Sequence, residues 1–268
     1  MTSGHGDAEA AKRFRDAHHG SRPLVVANAW DAASAATFVE AGLDAIATSS
    51  GAVARSLGFA DGEGTPPDEM FAAVARIAAA AWAHEAGPPS VMVTADIEHG
   101  YGLAPTELVA RLARAGAVGC NLEDSDPRTR TMDPVDAQVA RIAALRRAAD
   151  QAGTGLVINA RVDIHVRSDG PEETRLERSM ARAAAYLEAG TDCVFPIMLR
   201  DEADIATYVR GVGGPVNVMA THATPGLRRL GELGVARISF GSGLHRIAMA
   251  AAQGAALRLH AGDDPWPA

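Results

Sequence analysis

The sequence predicts an α/β fold, a single (β/α)8 TIM barrel with its active site at the carboxyl ends of the strands. Apolar segments of strand length alternate with alanine-rich amphipathic segments through the 268 residues, and no linker of domain size interrupts them. Helix-to-strand junctions at Gly42, Gly116 and Gly190 recur at a constant interval of 74 residues. This interval is twice a unit of roughly 37 residues, which suits one strand and one helix.

Eight strands follow from the apolar runs and the turn residues between them. In chain order they are predicted at 24–28, 44–49, 90–96, 118–123, 155–161, 192–196, 216–220 and 237–240. Eight alternating units are the number that closes a barrel. The barrel domain is expected to cover residues 21–268, after an N-terminal tail or helix of residues 1–20.

A doubly wound open sheet is the alternative fold. It is disfavoured because its Gly-x-Gly-x-x-Gly turn is missing after the first strand, where Asn28-Ala29-Trp30-Asp31 stands instead. Two long loops at the carboxyl ends, 58–67 and 124–133, are candidates for a lid.

Acidic residues stand where the third and fourth predicted strands end. Asp96 and Glu98 close the third strand, and Glu123 closes the fourth. Parallel strands bring such ends to one edge, where carboxylates repel one another unless a hard divalent cation joins them. Mg²⁺ is the expected ion, with Mn²⁺ as the alternative. The competing interpretation, that these acids cap helices or solvate loops, is weakened by Gly100 and Gly102, which allow a close approach of backbone to ligand.

Composition narrows the function class. The formal net charge of −8 gives no sign of a nucleic-acid or anionic-membrane surface, and no apolar stretch is long enough to span a bilayer. We therefore expect a cytoplasmic protein with a small-molecule partner. Lysine occurs only at Lys12, so Schiff-base, pyridoxal phosphate and P-loop chemistry in the folded body are excluded.

An anionic substrate is expected from the remaining strand ends. Arg161 is a candidate two-point clamp for a carboxylate, and Ser50 with the amides of Gly51 and Ala52 is a candidate cradle for the other end. Two other interpretations stay open. Arg161 could instead form a structural salt bridge with Asp163 or Glu123, and Ser50 could cap a helix.

Five motifs, in this order, resemble those of the isocitrate lyase/phosphoenolpyruvate mutase superfamily. They are A-N-A-W-D-A-A-S-A at 27–35, S-S-G-A-V-A-R-S-L-G-F-A-D at 49–61, A-D-I-E-H-G-Y-G at 95–102, N-L-E-D at 121–124 and N-A-R-V-D at 159–163. The resemblance runs from about Pro23 to Leu244. It implies a barrel that uses Mg²⁺ on α-oxo or enolate substrates and breaks or makes C–C or P–C bonds next to a carboxylate.

The resemblance also implies roles for single residues. Asp96 is the implied direct metal ligand, with Glu98 and Glu123 as its water-mediated partners. The candidate catalytic residues are Asp61, Glu123 and Arg161. The candidate substrate contacts are Trp30, Ser50, Gly51, Ala52, Arg161 and Asn217.

Departures from the family pattern bear on the reaction. Lyases of the family carry K-K-C-G-H in the loop after the fourth strand, where this chain has S-D-P-R-T-R-T-M at 125–132. They also carry Glu after F-P on the sixth strand, where this chain has Ile197. The Lys and Asn of the phosphonopyruvate-forming mutases are missing from the same loop, although Arg128 or Arg130 could supply positive charge.

The sequence therefore predicts a Mg²⁺-dependent enzyme that acts on a small α-oxo carboxylate through a metal-stabilised enolate. C–C cleavage, such as oxaloacetate decarboxylation or a lyase reaction, is favoured. The alternatives are a P–C bond phosphonomutase or carboxyphosphonate phosphorylmutase, a metal-dependent pyruvate aldolase, and a catalytically silent barrel that binds metabolites. Family members pair by exchanging a C-terminal helix, so a homodimer or homotetramer is expected, although the tail after 257–261 is short.

Overall fold

Eight helix-flanked strand positions form a closed parallel barrel in the computed structural model, which describes residues 5–83 and 90–266. The strands are β1 (Leu24–Val25), β2 (Ala27–Ala29), β3 (Ala45–Thr48), β4 (Met92–Asp96), β5 (Gly119–Glu123), β6 (Val157–Val162), β7 (Cys193–Pro196), β8 (Asn217–Met219) and β9 (Arg237–Ser239). Each of the eight predicted strands is confirmed to within a few residues. The first one is divided in two at Val26.

The division at Val26 joins the two ends of the sheet. The strands β2 to β7 are hydrogen-bonded in sequence order, and a second group has the order β1-β9-β8. Val25 pairs with Ile238, while Ala27 pairs with Ile46, so one continuous segment belongs to both groups. A parallel bridge between Val194 and Val216 links β7 to the start of β8. The predicted barrel is thereby confirmed, and its strands are parallel throughout.

Helices alternate with the strands and cover the outer face of the sheet. They are α1 (His5–Ala17), α2 (Ala32–Glu40), α3 (Ser50–Leu57), α4 (Pro67–Ala81), α5 (Pro105–Arg114), α6 (Val135–Ala152), α7 (Ile164–Arg167), α8 (Arg175–Glu188), α9 (Glu202–Gly211), α10 (Leu227–Glu232) and α11 (Gly243–Ala261), with a 3₁₀ turn at Glu172–Thr174. The glycines at the predicted junctions are left-handed, with φ of 90° at Gly42, 79° at Gly116 and 101° at Gly190. This is the conformation in which a glycine ends a helix without steric penalty.

The alternation of side chains along the strands separates the core from the site. On β5, Cys120 and Leu122 join the apolar layer beneath the helices. Their neighbours Asn121 and Glu123 are also buried but belong to the barrel interior, because successive residues of a strand point to opposite faces. The interior is therefore polar and charged towards the carboxyl ends of the strands.

Helix α1 covers the opposite, amino-terminal end of the barrel. Ala10, Ala11 and Phe14 are buried in one cluster with the strand residues Val26 and Val157. The predicted segment 1–20 thus includes a helix that packs on the barrel, while residues 1–4 of that segment lie outside the described part of the chain. The domain limits themselves stay a prediction. No helix among the described residues is long and apolar enough to cross a bilayer.

Candidate active site at the carboxyl ends of the strands

Asp96, the last residue of β4, is fixed by one side of its carboxylate. Its Oδ2 accepts hydrogen bonds from the Ser50 amide at 3.1 Å and the Ser50 hydroxyl at 2.8 Å. Its own amide donates to Thr48 Oγ1 at 2.9 Å. The other oxygen, Oδ1, is buried and has no hydrogen-bond partner among the residues that the structure describes. An unpartnered buried carboxylate oxygen is unfavourable by itself and is suited to a ligand that brings positive charge.

Glu98 lies two residues further and is held by a loop that carries another acid. Its Oε2 accepts from the Glu63 amide at 2.6 Å, and its Oε1 accepts from the Tyr101 hydroxyl at 3.0 Å. The Glu63 carboxylate in turn accepts from the Tyr101 amide at 2.6 Å. All three residues are left-handed, with φ of 59°, 50° and 56° for Glu63, Glu98 and Tyr101. Such backbone costs about 1 kcal/mol or more for each residue with a side chain, and it concentrates at functional sites.

Burial, together with the nearby carboxylates of Asp96 and Asp61, raises the pKa of Glu98 to about 7, against the opposing hydrogen bonds from the Glu63 amide and the Tyr101 hydroxyl. The folded pKa exceeds the ordinary value, so the folded protein holds a proton that the unfolded chain releases between pH 4.5 and about 7. In the absence of metal, Glu98 therefore stabilises the fold below this window, and this contribution is lost as the pH rises through it.

We expect Glu98→Gln to remove that part of the pH dependence. Without metal, wild-type stability should fall between pH 5 and 7 by roughly 2 to 3 kcal/mol more than the stability of the variant, since about two pKa units separate the two states of Glu98. Denaturant titrations of both proteins at several pH values, with a chelator present, measure this difference. Parallel curves for the two proteins would contradict the assignment.

Glu123, Arg161 and Asp163 form a buried ion-pair chain on the next two strands. The register of β5 and β6 places Glu123 directly opposite Arg161. Arg161 Nη1 pairs with Glu123 Oε1, while Arg161 Nε and Nη2 donate to the two oxygens of Asp163 at 2.6 and 3.1 Å. Burial raises the pKa of Glu123 well above its ordinary value, although Arg161 opposes the shift. Burial disfavours ionisation of Asp163 too, but Arg161 holds its pKa below the ordinary value.

The predicted substrate cradle lies in the first turn of α3. Ser50, Gly51 and Ala52 are all buried there. Ser50 is engaged with Asp96, and the Ala52 amide donates to the side chain of Ser49, which caps the helix. Gly51 lies against Asp61: a Cβ atom at position 51 would be 2.5 Å from Asp61 Oδ2. The absence of a side chain at Gly51 therefore lets the Asp61 carboxylate reach the site.

We expect Gly51→Ala to displace Asp61 while leaving the fold stable. Asp61 is an exposed side chain on a loop and can move away from the added methyl group. Displacement of a reacting or substrate-binding group by about 1 Å can lower a rate by up to roughly a hundredfold. The prediction is a tenfold to hundredfold loss, on the order of that estimate, in kcat/KM with an unchanged melting temperature. Equal loss of stability and activity would show that the methyl group disturbs the helix instead.

Two adjoining cavities lie over these residues. One of about 310 Å³ is lined by Ser50, Asp61, Gly62, Glu98, Glu123, Pro127, Arg130, Arg161, Val166 and Arg167. A smaller one of about 190 Å³ also contacts Ser50, Asp61 and Arg161 and extends to Asp96 and Asn121. The structure thus brings together the predicted residues Ser50, Gly51, Asp61, Asp96, Glu98, Glu123 and Arg161.

Three candidate substrate contacts do not line these cavities. The Ala52 amide is engaged by the Ser49 hydroxyl. Trp30 packs edge-to-face against Phe38 and His245, with ring centroids 6.1 and 5.1 Å away. Asn217 is fully buried at the start of β8, and neither its amide nitrogen nor its oxygen has a hydrogen-bond partner among the described residues. The residue of β8 that lines the smaller cavity is Met219, two positions later and on the same face of the strand. Asn217 lies one layer deeper in the barrel than the resemblance implies.

The carboxylates fit an ion that is held directly by one ligand. Among the described residues, no three His, Cys, Asp or Glu side chains stand close enough to bind one metal ion together. Asp96 offers a free oxygen, whereas both oxygens of Glu98 are occupied and Glu123 is paired with Arg161. Mg²⁺ keeps several of its waters in protein sites and needs only one or two carboxylates, so this geometry is compatible with it.

Two residues at the site were not singled out from the sequence. Glu63 fixes Glu98 from a neighbouring loop, and Arg167 ends the short helix α7 and lines the larger cavity. Arg130, considered above as a source of positive charge, lines the same cavity. The alternation of polar and apolar residues that marks strands gives no signal in loops or in a helix of 4 residues. The sequence signal for Glu63 was limited to its position in the loop 58–67, which was a candidate for a lid.

Comparisons with known proteins agree with the observed architecture. The sequence model of the phosphoenolpyruvate phosphomutase family matches residues 14–260. An uncharacterised protein of Mycobacterium tuberculosis is 34% identical over 252 residues, which cover 93% of this chain and 90% of that protein. A solved structure from Burkholderia cenocepacia, provisionally described as a phosphonomutase, is 43% identical with a TM-score of 0.82 over 90% of this chain and 96% of that one. The structure of 2,3-dimethylmalate lyase is 26% identical with a TM-score of 0.82, and the match covers 97% of this chain and 88% of that one.

Proposed function

Since this chain belongs to the phosphoenolpyruvate phosphomutase family, we propose that it is a Mg²⁺-dependent enzyme that acts on a small α-oxo carboxylate through an enolate. The single observation that carries the proposal is Asp96 Oδ1, a buried and unpartnered carboxylate oxygen beside two further buried acids. A divalent cation would satisfy that oxygen and offset the repulsion among the acids. Phosphonopyruvate hydrolase, a relative of 22% identity and TM-score 0.79, was crystallised with oxalate and Mg²⁺.

Each residue of the site would have its own role in binding the metal ion or the substrate. Asp96 would hold the ion directly, and Glu98 and Glu123 would hold its water molecules. Mg²⁺, when bound, supplies positive charge that favours development of negative charge on the oxo oxygen. Ser50 keeps Asp96 in one orientation through two hydrogen bonds. Asp61 faces the substrate from the loop after α3.

Decarboxylation of oxaloacetate is favoured because it makes the smallest demand on acid–base groups. The C–C bond breaks, its electron pair moves into the adjacent carbonyl group to form the enolate, and carbon dioxide leaves. Only the subsequent protonation needs a proton, which water can supply. Cleavage of a 2-hydroxy acid also requires a base for the hydroxyl proton. The loop 125–132, which carries such a group in lyases, contributes only Pro127 and Arg130 to the larger cavity.

P–C bond chemistry is the second candidate. It is supported by the 43% identity to the Burkholderia protein described as a phosphonomutase. The arginine-containing wall of the larger cavity, with Arg130, Arg161 and Arg167, also suits a phosphonate. A phosphoryl transfer would need these charges close to the transferring group.

A substrate panel tests the proposal. Purified protein with Mg²⁺ is incubated with α-oxo acids, among them oxaloacetate, and with phosphonates such as phosphonopyruvate, and both pyruvate and phosphoenolpyruvate are measured. Pyruvate from oxaloacetate supports C–C cleavage, and pyruvate or phosphoenolpyruvate from phosphonopyruvate supports the second candidate. A pyruvate aldolase would be recognised by turnover that depends on an added aldehyde. No turnover of any compound would contradict the proposed enzyme.

The assembly is proposed to be a homodimer or homotetramer. Helix α11 exposes large apolar side chains to solvent, with exposed fractions of 64% at Ile247, 63% at Leu257 and 60% at Leu259. Apolar surface concentrated on one helix favours association with a second copy. We expect light scattering at micromolar concentration to give at least twice the monomer mass of 27.7 kDa. A monomer at that concentration would contradict the proposal.

A further inference from the structure

Arg161, the expected carboxylate clamp, has little charge left to offer a substrate. All three of its nitrogens are engaged by Glu123 or Asp163, and its side chain is 14% exposed. Two carboxylates around one guanidinium leave no net positive charge at this position. Other guanidinium groups, those of Arg130 and Arg167, line the same cavity.

Arg167 is arranged differently although it shares the same backing acid. Its Nε donates to the Ser125 hydroxyl at 2.9 Å and is 3.8 Å from Asp163 Oδ2. Ser125 in turn donates to Asp163 at 2.5 Å. No protein hydrogen bond or ion pair of its two terminal nitrogens is present among the residues that the structure describes. The guanidinium is thus fixed at its inner edge, and its outer edge is available.

The outer edge of Arg167 belongs to the wall of the larger cavity. The side chain is 16% exposed and lines the cavity together with Arg130, which makes no ion pair with the described residues. Asp61, Glu98 and Glu123 line the same cavity. The cavity therefore has both an acidic part, suited to a cation with the oxo-acid end of a substrate, and a part lined by the guanidinium groups of Arg130 and Arg167.

We propose that Arg167 is the specificity-determining residue that binds a second anionic group of the substrate, a carboxylate or a phosphonate, with Arg130 as its partner from the loop after β5. The proposal rests on the proposed function, because it assigns the far end of the same substrate. A guanidinium with a free edge binds either group through two parallel N–H···O hydrogen bonds. Immobilisation by Ser125 reduces the entropy that Arg167 loses when the ligand binds.

Reduced analogues, which lack the α-oxo group, separate the two ends of the ligand. Lactate, malate and 3-phosphonolactate share a 2-hydroxy acid end and cannot form an enolate from an α-oxo group. Lactate has no second anionic group, malate has a carboxylate, and 3-phosphonolactate has a phosphonate. Their affinities are measured by calorimetry with Mg²⁺ for the wild type, Arg167→Gln, Arg167→Lys and the control Arg128→Gln. Arg128 is an exposed arginine of the same loop whose partner is Asp126, and it does not line the larger cavity.

For the wild type we expect malate or 3-phosphonolactate to bind at least tenfold more tightly than lactate, about the contribution of one charge-assisted two-point contact. Arg167→Gln should remove this preference and leave lactate affinity within about twofold, whereas Arg128→Gln should keep it. Arg167→Lys, which keeps the positive charge, should retain part of this preference. It serves as a control in case Arg167→Gln misfolds, and circular dichroism checks the fold of both variants. For malate and for 3-phosphonolactate, the affinity relative to lactate is compared between the wild type and Arg167→Gln. The compound that loses more of this relative affinity identifies the second anionic group as a carboxylate or a phosphonate.

Three results would overturn the inference. Equal affinity of the wild type for all three compounds would show that no second anionic group is recognised, while leaving the proposed oxo-acid site intact. An undiminished preference in Arg167→Gln would place that recognition on other residues. No binding of any compound by the wild type would contradict the proposed function as well.

Discussion

Replacement of Asp96 by alanine is expected to weaken Mg²⁺ binding by roughly two to four factors of ten, or several kcal/mol. Asp96 Oδ1 is a buried carboxylate oxygen that has no hydrogen-bond partner among the described residues. This change therefore removes the proposed direct ligand of the metal ion. Glu98 and Glu123 would remain as two buried acids, each with a raised pKa. Both oxygens of Glu98 and Oε1 of Glu123 are already engaged by protein groups. Their repulsion would no longer be offset by a tightly bound ion.

Isothermal titration of the metal-free protein with Mg²⁺ measures this effect. Asp126→Ala is a matched control, because it also removes one carboxylate but from an exposed turn beside Arg128. Asp96→Asn keeps the size and can keep accepting from Ser50, so it tests the negative charge alone. An Mg²⁺ affinity of Asp96→Ala equal to that of the control would refute the ligand assignment.

Replacement of Arg161 by methionine is expected to lower the free energy of unfolding by about 3 to 5 kcal/mol, the usual effect of removing one partner of a buried ion pair. Glu123 and Asp163 would be left close together without the guanidinium that pairs with both, and Asp163 is fully buried. If Arg161 only binds substrate, the reverse is expected: a loss of activity with little change in the free energy of unfolding.

Denaturant unfolding of Arg161→Met, Arg167→Gln and wild type at pH 7 distinguishes these interpretations. Arg167→Gln should be destabilised much less, since Arg167 is 3.8 Å from Asp163 and makes no close ion pair. Arg161→Lys adds a comparison of activity. A stable Arg161→Lys protein with a tenfold to thousandfold lower kcat/KM, about 1.4 to 4 kcal/mol, would support the interpretation that Arg161 binds a substrate carboxylate. Equal stability of Arg161→Met and wild type would contradict the structural ion pair.

Periodicity was sufficient to predict the fold and the position of the acids. The strand runs and the left-handed glycines at 42, 116 and 190 are local signals, and the parallel arrangement follows from the helices between the strands. Once the strands are adjacent, Asp96 and Glu123 must share one edge of the barrel. Their proximity therefore needed no information beyond the order of the elements.

The pairings among charged residues could not be obtained in this way. Arg161 was assigned to the substrate, but the register of β5 and β6 sets it opposite Glu123, and the backbone turn after β6 returns Asp163 to it. Both interpretations were open from the sequence, because a buried arginine and a substrate-binding arginine have the same neighbours along the chain. Only the three-dimensional partners of each nitrogen separate Arg161 from Arg167.

Depth within the barrel was the other property that the sequence left undetermined. Asn217 and Met219 point to the same face of β8, and the two-residue shift between them decides which one lines the cavity. Trp30 follows β2 directly, yet its ring packs on Phe38 and His245, the latter from the distant helix α11. Such packing depends on helices that are far away in sequence.

The central claim is that a metal ion on Asp96 allows this chain to form an enolate from an α-oxo acid. The most direct measurement is the rate of pyruvate formation from oxaloacetate with Mg²⁺, with a chelator, and with the Asp96→Ala protein, each corrected for the reaction of Mg²⁺ alone. We expect protein-dependent pyruvate formation in the first case and its loss in the other two. Pyruvate formation that survives both chelation and the loss of Asp96 would contradict it, as would the absence of any protein-dependent rate.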